Sequence, residues 1–451
     1  MERVFADDEL ADIGREAAAR AWDDGLTVLR PDGSVVPIPL VAEPAAYARE
    51  TLSALAAEAQ LILSGSVKLA RALLERGDER DRAALLDPFE GLEAEAMASL
   101  FTAAPCPAVV ARVDFLPPDD GGPPRALELN ATIPAMPAYA DLAAHGWLRA
   151  AGARRGLAPR EAEDLVARCG SNMEKLREAL LAYYRSRGGT RARPSIAIVA
   201  RPGDAQLGEL RRLARHFVQM GHAVANLTPD ECEPEDWDVL YRHVWAHRTP
   251  PQSPFARALR EPGRFVLANP VNGMLEAKAL FARLSEAGDD DALAVIAGLG
   301  AGEREAARRL PWTRRLDGTL VERVVAERER FVLKRSWDYG GKSVHLGAET
   351  AAADWRRVVE ASAGDPQGGG FVVQERIHAV RAAATRIAPE GVSRTDMYRD
   401  VSTYCGLADR PLDGSVVRAA ASPVVNILGG GGLAPVIPED VLQLLGAARP
   451  A

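Results

Sequence analysis

PAVVARVDFLPPDDGGPPRALELNA, residues 107–131, is the stretch whose reading decides the fold. Its first ten residues alternate and are rich in β-branched side chains, which predicts a strand over 107–116. Residues 117–124, all Pro, Asp or Gly, predict a turn. A second strand is expected over 125–131. Side chains two apart on a strand share a face, so Arg112 falls beside Asp114, and Glu128 beside Asn130. If the strands pair through the turn, three oxygen-bearing side chains converge next to one guanidinium. Mg²⁺ takes oxygen ligands of this kind, often one or two carboxylates together with substrate phosphates. Two amphipathic strands with polar groups toward solvent would explain E-x-N alone; R-x-D across the hairpin favours the ligand reading.

Outward from this hairpin, the preceding residues carry Ala and Leu at helical spacing over 44–74 and 90–101. Residues 159–186 are helical in pattern, and GGTRARP (188–194) reads as a linker. Short apolar strands follow at 195–200, 222–227, 238–245 and 264–269, with an amphipathic helix over 208–221 that stops at a glycine. Strand, helix and strand at this spacing predict an open, mostly parallel sheet. Tyr241, Arg242 and His243 stand at one strand end, where an arginine suits a carboxylate or phosphate, or equally a salt bridge.

Three later constellations carry chemistry. In FVLKRSWDYGGKSVHLG (331–347), Lys334 ends an apolar strand and Gly340, Gly341, Lys342 and Ser343 follow. A strand-end lysine can meet phosphate oxygens as a point charge, and paired glycines let backbone N–H groups approach a polyphosphate. A hairpin turn with a surface lysine reads the same way, and the P-loop spacing is absent. FVVQERI (371–377) ends on Gln374, Glu375, Arg376 and Ile377, a strand end that can border an adenine ring or simply finish. SVVRAAASPVVNILGGGG (415–432) places Arg418 and Asn426 before four glycines, whose entropic cost suits a loop approaching a ligand.

Composition narrows the function. The 451 residues suffice for two or three packed domains. With 47% hydrophobic and 26% charged residues and a net charge of −8, the chain is ordinary globular protein without the basic face of a nucleic-acid binder. Cys106, Cys169, Cys232 and Cys405 lack metal-ligand spacing and read as thiols of a reducing compartment. MERVFADDELADIG is acidic and has no apolar core, and no apolar run reaches the roughly 20 residues a membrane helix needs. A cytoplasmic protein is expected, without nucleic-acid or membrane partners.

Together these residues resemble the ATP-grasp superfamily, in particular bacterial glutathione synthetase and D-alanine–D-alanine ligase. Lys278 in MLEAKALFARL, Lys334, the GGKS loop, the Q-E-x-I hinge, and Arg418 with Asn426 stand in that superfamily's order. R-x-D and E-x-N, which would come last, stand first. The order resembles the circularly permuted group that includes glutathionylspermidine synthase-like proteins, and the likeness covers 195 to the C-terminus plus about 50–140. Arg376, where relatives carry an apolar residue, and the bulky Trp337 and Tyr339 near the loop depart from the pattern. No amidase-like Cys-His pair precedes it.

The resemblance implies an α/β ATP-grasp fold with a small Rossmann-like pre-ATP-grasp domain. It divides the chain into 1–150 (helices and the metal-binding part of the C-terminal lobe) and a helical connector at 151–193. The pre-ATP-grasp unit follows at 194–270, the nucleotide lobe at 271–390, and the rest of the C-terminal lobe at 391–451. Asp114, Glu128 and Asn130 would hold Mg²⁺; Lys278 and Lys334 would contact ATP phosphates; Gly340, Gly341, Lys342 and Ser343 would form a lid. Gln374, Glu375 and Ile377 would border adenine, Asn426 the γ-phosphate, and Arg112 and Arg418 the reacting groups. The implied activity is ATP-dependent joining of a small-molecule or peptide carboxylate to an amine through an acylphosphate, with a homodimer as a family-level expectation. A degenerate, non-catalytic ATP-binding protein and a small-molecule kinase are the alternatives.

Overall fold

Residues 107–131 fold as two antiparallel strands, Ala111–Leu116 and Arg125–Asn130, with Arg112 opposite Asn130 and Asp114 opposite Glu128. The computed structural model describes residues 5–97, 99–104, 106–338, 340–427 and 429–447. Tyr339, expected beside Trp337, lies outside the described residues. The register shifts after Asp114, so that Phe115 pairs with Ala126 and Leu127 is left as the extra residue of a bulge. Such bulges end pairing locally and free a backbone carbonyl for other use.

These strands form one edge of a seven-stranded sheet. Its order is Arg381–Ala388, Leu40–Val41, Gly432–Ala434, Ser415–Ala420, Gly391–Cys405, Ala111–Leu116, Arg125–Asn130. Strands from the first 130 residues and from the last 70 or so therefore share one sheet. The 15-residue strand Gly391–Cys405 pairs first with Arg381–Ala388, then with Ser415–Ala420 on one side and Ala111–Leu116 on the other. Helix Arg49–Arg76 packs on the sheet and buries Leu55, Ile62, Leu63 and Leu69 in its core. Truncating one such side chain to alanine costs about 2–5 kcal/mol.

A second sheet is parallel, in the order Leu267–Ala268, Val239–His243, Ile196–Ala200, Val224–Leu227. Its inner strand Ile196–Ala200 is an apolar run buried at every position, as in a sheet covered on both faces, whereas the edge strand Val224–Leu227 is only partly buried. A third sheet is antiparallel, in the order Thr313–Arg315, Phe371–Glu375, Phe331–Arg335, Val344–Leu346. It has its own core of Phe331, Leu333, Val373 and Trp355.

Several boundaries differ from the sequence expectation. Residues 107–110 precede the strand; there the Asn269 amide accepts from the N–H groups of Val109 and Val110 at 2.7 and 2.9 Å and donates to the Val110 carbonyl. Only Leu267–Ala268 of 264–269 pairs as strand, because the following residues turn to make this clasp. Ala45–Tyr47 is a short strand beside Val436–Pro438, not the start of the helix. Residues 90–101 split into helices Gly91–Met97 and Leu100–Ala103. Among the described residues no helix is long and apolar enough to cross a membrane.

Candidate active site

The three sheets meet around a cavity of about 470 Å³. Arg112, Asp114, Glu128, Asn130 and Arg418 reach it from the seven-stranded sheet, and Lys334, Gln374, Glu375 and Ile377 from the antiparallel sheet. Lys278, at the first turn of helix Lys278–Asp289, also lines it, as do Gly340, Gly341, Lys342, Ser343 and Asn426. Residues separated by up to 314 positions thus line one space large enough for a drug-sized ligand.

A chain of alternating charge crosses the wall formed by the seven-stranded sheet. Arg112 donates to both Asp114 oxygens, at 2.7 and 3.1 Å. Arg418 donates to Asp114 at 2.8 Å and also to Asp400, its cross-strand partner. Asp114 and Asp400 are almost fully buried. Burial opposes ionisation of Asp114, yet the charges of Arg112 and Arg418 outweigh it and hold the carboxyl well below the usual range. At Asp400 burial prevails over Arg418 and the carboxyl is raised. For Arg418 burial disfavours the cation, but Asp400 and Asp114 more than restore it.

Opposite this wall stand the two lysines. Lys334 donates to the Gln374 side chain at 2.7 Å and lies 3.5 Å from the carbonyl of the bulged Leu127. The Gln374 amide meets the same carbonyl at 3.3 Å and the Thr313 hydroxyl at 3.1 Å. Burial pushes the Lys334 ammonium down to about 8, against the nearby Glu128 charge. Lys278 pairs with Glu128 at 3.4 Å and donates to the Asp338 carbonyl at 3.0 Å. Glu128 is held below its usual range: burial opposes this, and Lys278 is the strongest stabilising charge. Gln374 therefore braces Lys334, whereas the Glu375 carboxylate, at the cavity's edge, pairs with Arg330 at 3.2 Å.

The glycine loop is tethered at both ends. Gly340 and Gly341 have φ of +72° and +73°, which L-residues with side chains rarely adopt. A Cβ on Gly341 would also lie 2.7 Å from the Val424 side chain. Asn426 donates to the Gly340 carbonyl at 2.7 Å, and Ser343 to the Asp338 carboxylate. Trp337 packs edge-on against Phe89 and Trp245, with ring centroids 4.5 and 5.1 Å apart. Its bulk thus fixes the root of the loop.

For a metal, the donor set fits in part. Among the described residues no three His, Cys, Asp or Glu side chains are gathered closely enough to hold an ion. Both Asp114 oxygens are committed to guanidinium groups. Glu128 lines the cavity, and beside it the Asn130 side-chain nitrogen is buried with no partner. Glu128 and the Asn130 side-chain oxygen suit a hard cation carrying waters and phosphates, which needs few protein ligands, whereas the Asn130 nitrogen, a donor, offers it nothing; Asp114 joins them only if one arginine swings away.

Sequence reasoning passed over six contributors. Asp400 alternates with Ser402 and Tyr404 on one face of a strand, a signal available in YRDVSTYC. Glu276, two residues before Lys278, accepts from the Thr132 N–H at 2.5 Å, and burial pushes its carboxyl up to about 7. Arg201, Asp204, Gln206 and Arg248 follow the ends of parallel strands and line the cavity with His243, where open α/β sheets place ligands. Arg242 does not join them. It is buried on the other face of its strand, where it donates to the carbonyls of Asn269, Val244 and Pro270. Tyr241 is buried among the helices on the His243 side, outside the cavity lining.

No protein-family model matches the chain, nor does any curated protein. A protein of Methylobacillus flagellatus assigned as a gamma-glutamylcysteine synthetase aligns with 81% of this chain and 92% of its own, at 12% identity and a TM-score of 0.39. The apo structure of a glutathione synthetase-like effector from Globodera pallida covers 97% of this chain and 99% of its own, at 13% identity and a TM-score of 0.60. The chain accordingly has a mixed α/β fold similar to that of a glutathione synthetase-like protein.

Proposed function

We propose that the protein is an ATP-dependent ligase of the circularly permuted ATP-grasp type, joining a carboxylate to an amine. One observation carries this reading: Lys278 and Lys334 from late in the chain and Glu128 and Asn130 from early in it line one cavity of about 470 Å³, with Lys278 and Glu128 paired at 3.4 Å. A glutathione synthetase-like fold supports a peptide- or amide-forming reaction. Early and late strands in one sheet support the permuted order, and the parallel sheet supports a Rossmann-like pre-ATP-grasp unit.

In this reading Lys278 and Lys334 hold the phosphates, and Gln374, Glu375 and Ile377 border the adenine. The loop with Gly340, Gly341, Lys342 and Ser343, tethered by Asn426, closes over the phosphate chain and excludes water. Glu128 and the Asn130 side-chain oxygen would hold Mg²⁺, with Asp114 joining them if Arg418 moved off it, and the ion would supply charge that neutralises the phosphates. The substrate carboxylate attacks the γ-phosphorus, ADP leaves, and the amine displaces phosphate from the acylphosphate. Arg112, fixed by Asp114, stabilises the oxyanion of the tetrahedral intermediate, and Arg418 neutralises charge beside it. Positioning and charge neutralisation supply most of the catalysis, so no nucleophilic side chain is required.

The test is an array of small carboxylates and amines, dipeptides included, with MgATP and ADP release as the readout. ADP release that needs both a carboxylate and an amine supports ligation. A phosphorylated hydroxyl product identifies a kinase. Nucleotide binding without turnover across the array supports a non-catalytic protein.

A further inference from the structure

Arg112 is held on its second side by a single backbone carbonyl. Its Nη1 donates to the Ala135 carbonyl at 3.1 Å, and the Tyr404 hydroxyl donates to the same oxygen at 2.8 Å. The N–H at the other end of that peptide group belongs to Met136, and it donates to Glu209 at 3.0 Å. The second Glu209 oxygen accepts from the Ala138 N–H at 3.1 Å. Glu209 comes from a different sheet layer, the first turn of helix Leu207–Gln219. It is 1% exposed. The turn it grips is constrained: Met136 has φ of +88° although it carries a side chain. Ile133, Ala135 and Met136 of this turn line the cavity.

We propose that Glu209 is a positioning residue for Arg112, acting through the Ala135–Met136 peptide group. The inference rests on the reading of Arg112 as the oxyanion-stabilising group. Burial pushes the Glu209 carboxyl up to about 8, while the Met136 and Ala138 N–H groups favour its ionised form. As a carboxylate at the N–H end of the amide it polarises the carbonyl, and hydrogen bonds in such a chain strengthen one another. The peptide plane is thus fixed at both ends, and its oxygen fixes the guanidinium edge that Asp114 does not hold. The structure offers one competing role. Met136 is the N-cap of helix Pro137–Arg154, so Glu209 also caps that helix from a neighbouring layer. Capping alone requires nothing of Arg112.

The two roles separate by following Arg112 itself. Protein labelled with ¹⁵N-arginine gives guanidinium signals, and the Arg112 set is the one lost in R112K. Glu209→Gln keeps the volume but turns one acceptor into a donor facing an N–H. Glu209→Asp keeps the charge but reaches only one N–H. Hydrogen exchange at the Arg112 guanidinium should quicken in the order wild type, E209D, E209Q, by about tenfold at the end of the series. Glu303→Gln alters a buried carboxylate bound to Ser64 and Lys68 away from the cavity, and should leave the signal unchanged. Turnover of a pair found by ADP release should fall in the same order through kcat, with KM for ATP within about twofold. Unchanged Arg112 exchange in both variants, with lost protection only at the Met136 and Ala138 amides, overturns the proposal and leaves the cap. Calorimetry of wild-type protein with MgATP is a separate arm: failure to bind overturns the ligase reading without touching the Glu209–Arg112 coupling.

Discussion

Replacing Lys334 with methionine should move folding and nucleotide binding very differently. In the folded chain Lys334 is an ammonium 8% exposed, bonded to the Gln374 side chain at 2.7 Å. Its loss strands a buried amide oxygen, which costs about 1–3 kcal/mol. It also relieves the burial of a charge that has already been pushed down to about 8. The two effects oppose, so the melting free energy should shift by no more than about 1–2 kcal/mol. Binding has no such compensation. A hydrogen bond to a charged partner is worth about 1.5–3 kcal/mol, so Kd for MgATP should rise roughly 10- to 150-fold. Titration calorimetry with MgATP, paired with a thermal melt, reads both. Lys334 is charged below about 8 and neutral above it, whereas an unfolded lysine stays charged to about 10.5. Its contribution to stability therefore rises with pH between those values. Polyphosphate favours the charged form, so binding at about pH 8.5 should take up protons, seen as a buffer-dependent enthalpy that vanishes near pH 6. A K334M protein that remains folded and binds MgATP like the wild type would refute the placement of phosphate at this lysine.

Three further substitutions probe other parts of the site. Asp400→Asn removes one carboxylate of the buried Arg418 cluster and should cost about 3–5 kcal/mol in denaturant unfolding; a loss below about 1 kcal/mol contradicts the charge chain. Gly341→Ala meets both a φ of +73° and the Val424 side chain, so KM for ATP should rise and unfolding should become easier by about 1 kcal/mol or more; an unaltered KM removes the loop from nucleotide binding. Arg242→Ala should destabilise the fold by about 2–4 kcal/mol with no selective effect on substrate affinity, because its donors serve three backbone carbonyls; a specific rise in substrate KM in a stable variant would contradict this.

The parts of the site legible in the sequence are those governed by local rules. Period-two alternation places Arg112 with Asp114 and Glu128 with Asn130 on shared faces, and the Pro/Gly turn predicts their pairing. Lys334 and Gln374 show themselves as polar residues ending apolar strands. What local pattern cannot carry is which distant strands become neighbours. Asp400 gains its meaning only because Gly391–Cys405 lies between Ser415–Ala420 and Ala111–Leu116. Arg242 and His243 are adjacent in sequence, yet strand alternation sends one into a backbone staple and the other to the cavity. The role of Glu209 depends on a turn residue, Met136, 73 positions away in sequence. The shift of register that bares the Leu127 carbonyl toward Lys334 left no mark in the RALELN pattern.

A structure of the protein with a slowly hydrolysed ATP analogue and Mg²⁺ would locate the triphosphate. The triphosphate should contact Lys278 and Lys334, with Glu128 and Asn130 beside its metal ion and adenine toward Ile377. A nucleotide bound elsewhere, for instance in the groove between Trp22 and Val218, with Lys334 and Glu128 making no contact to it, would contradict the account.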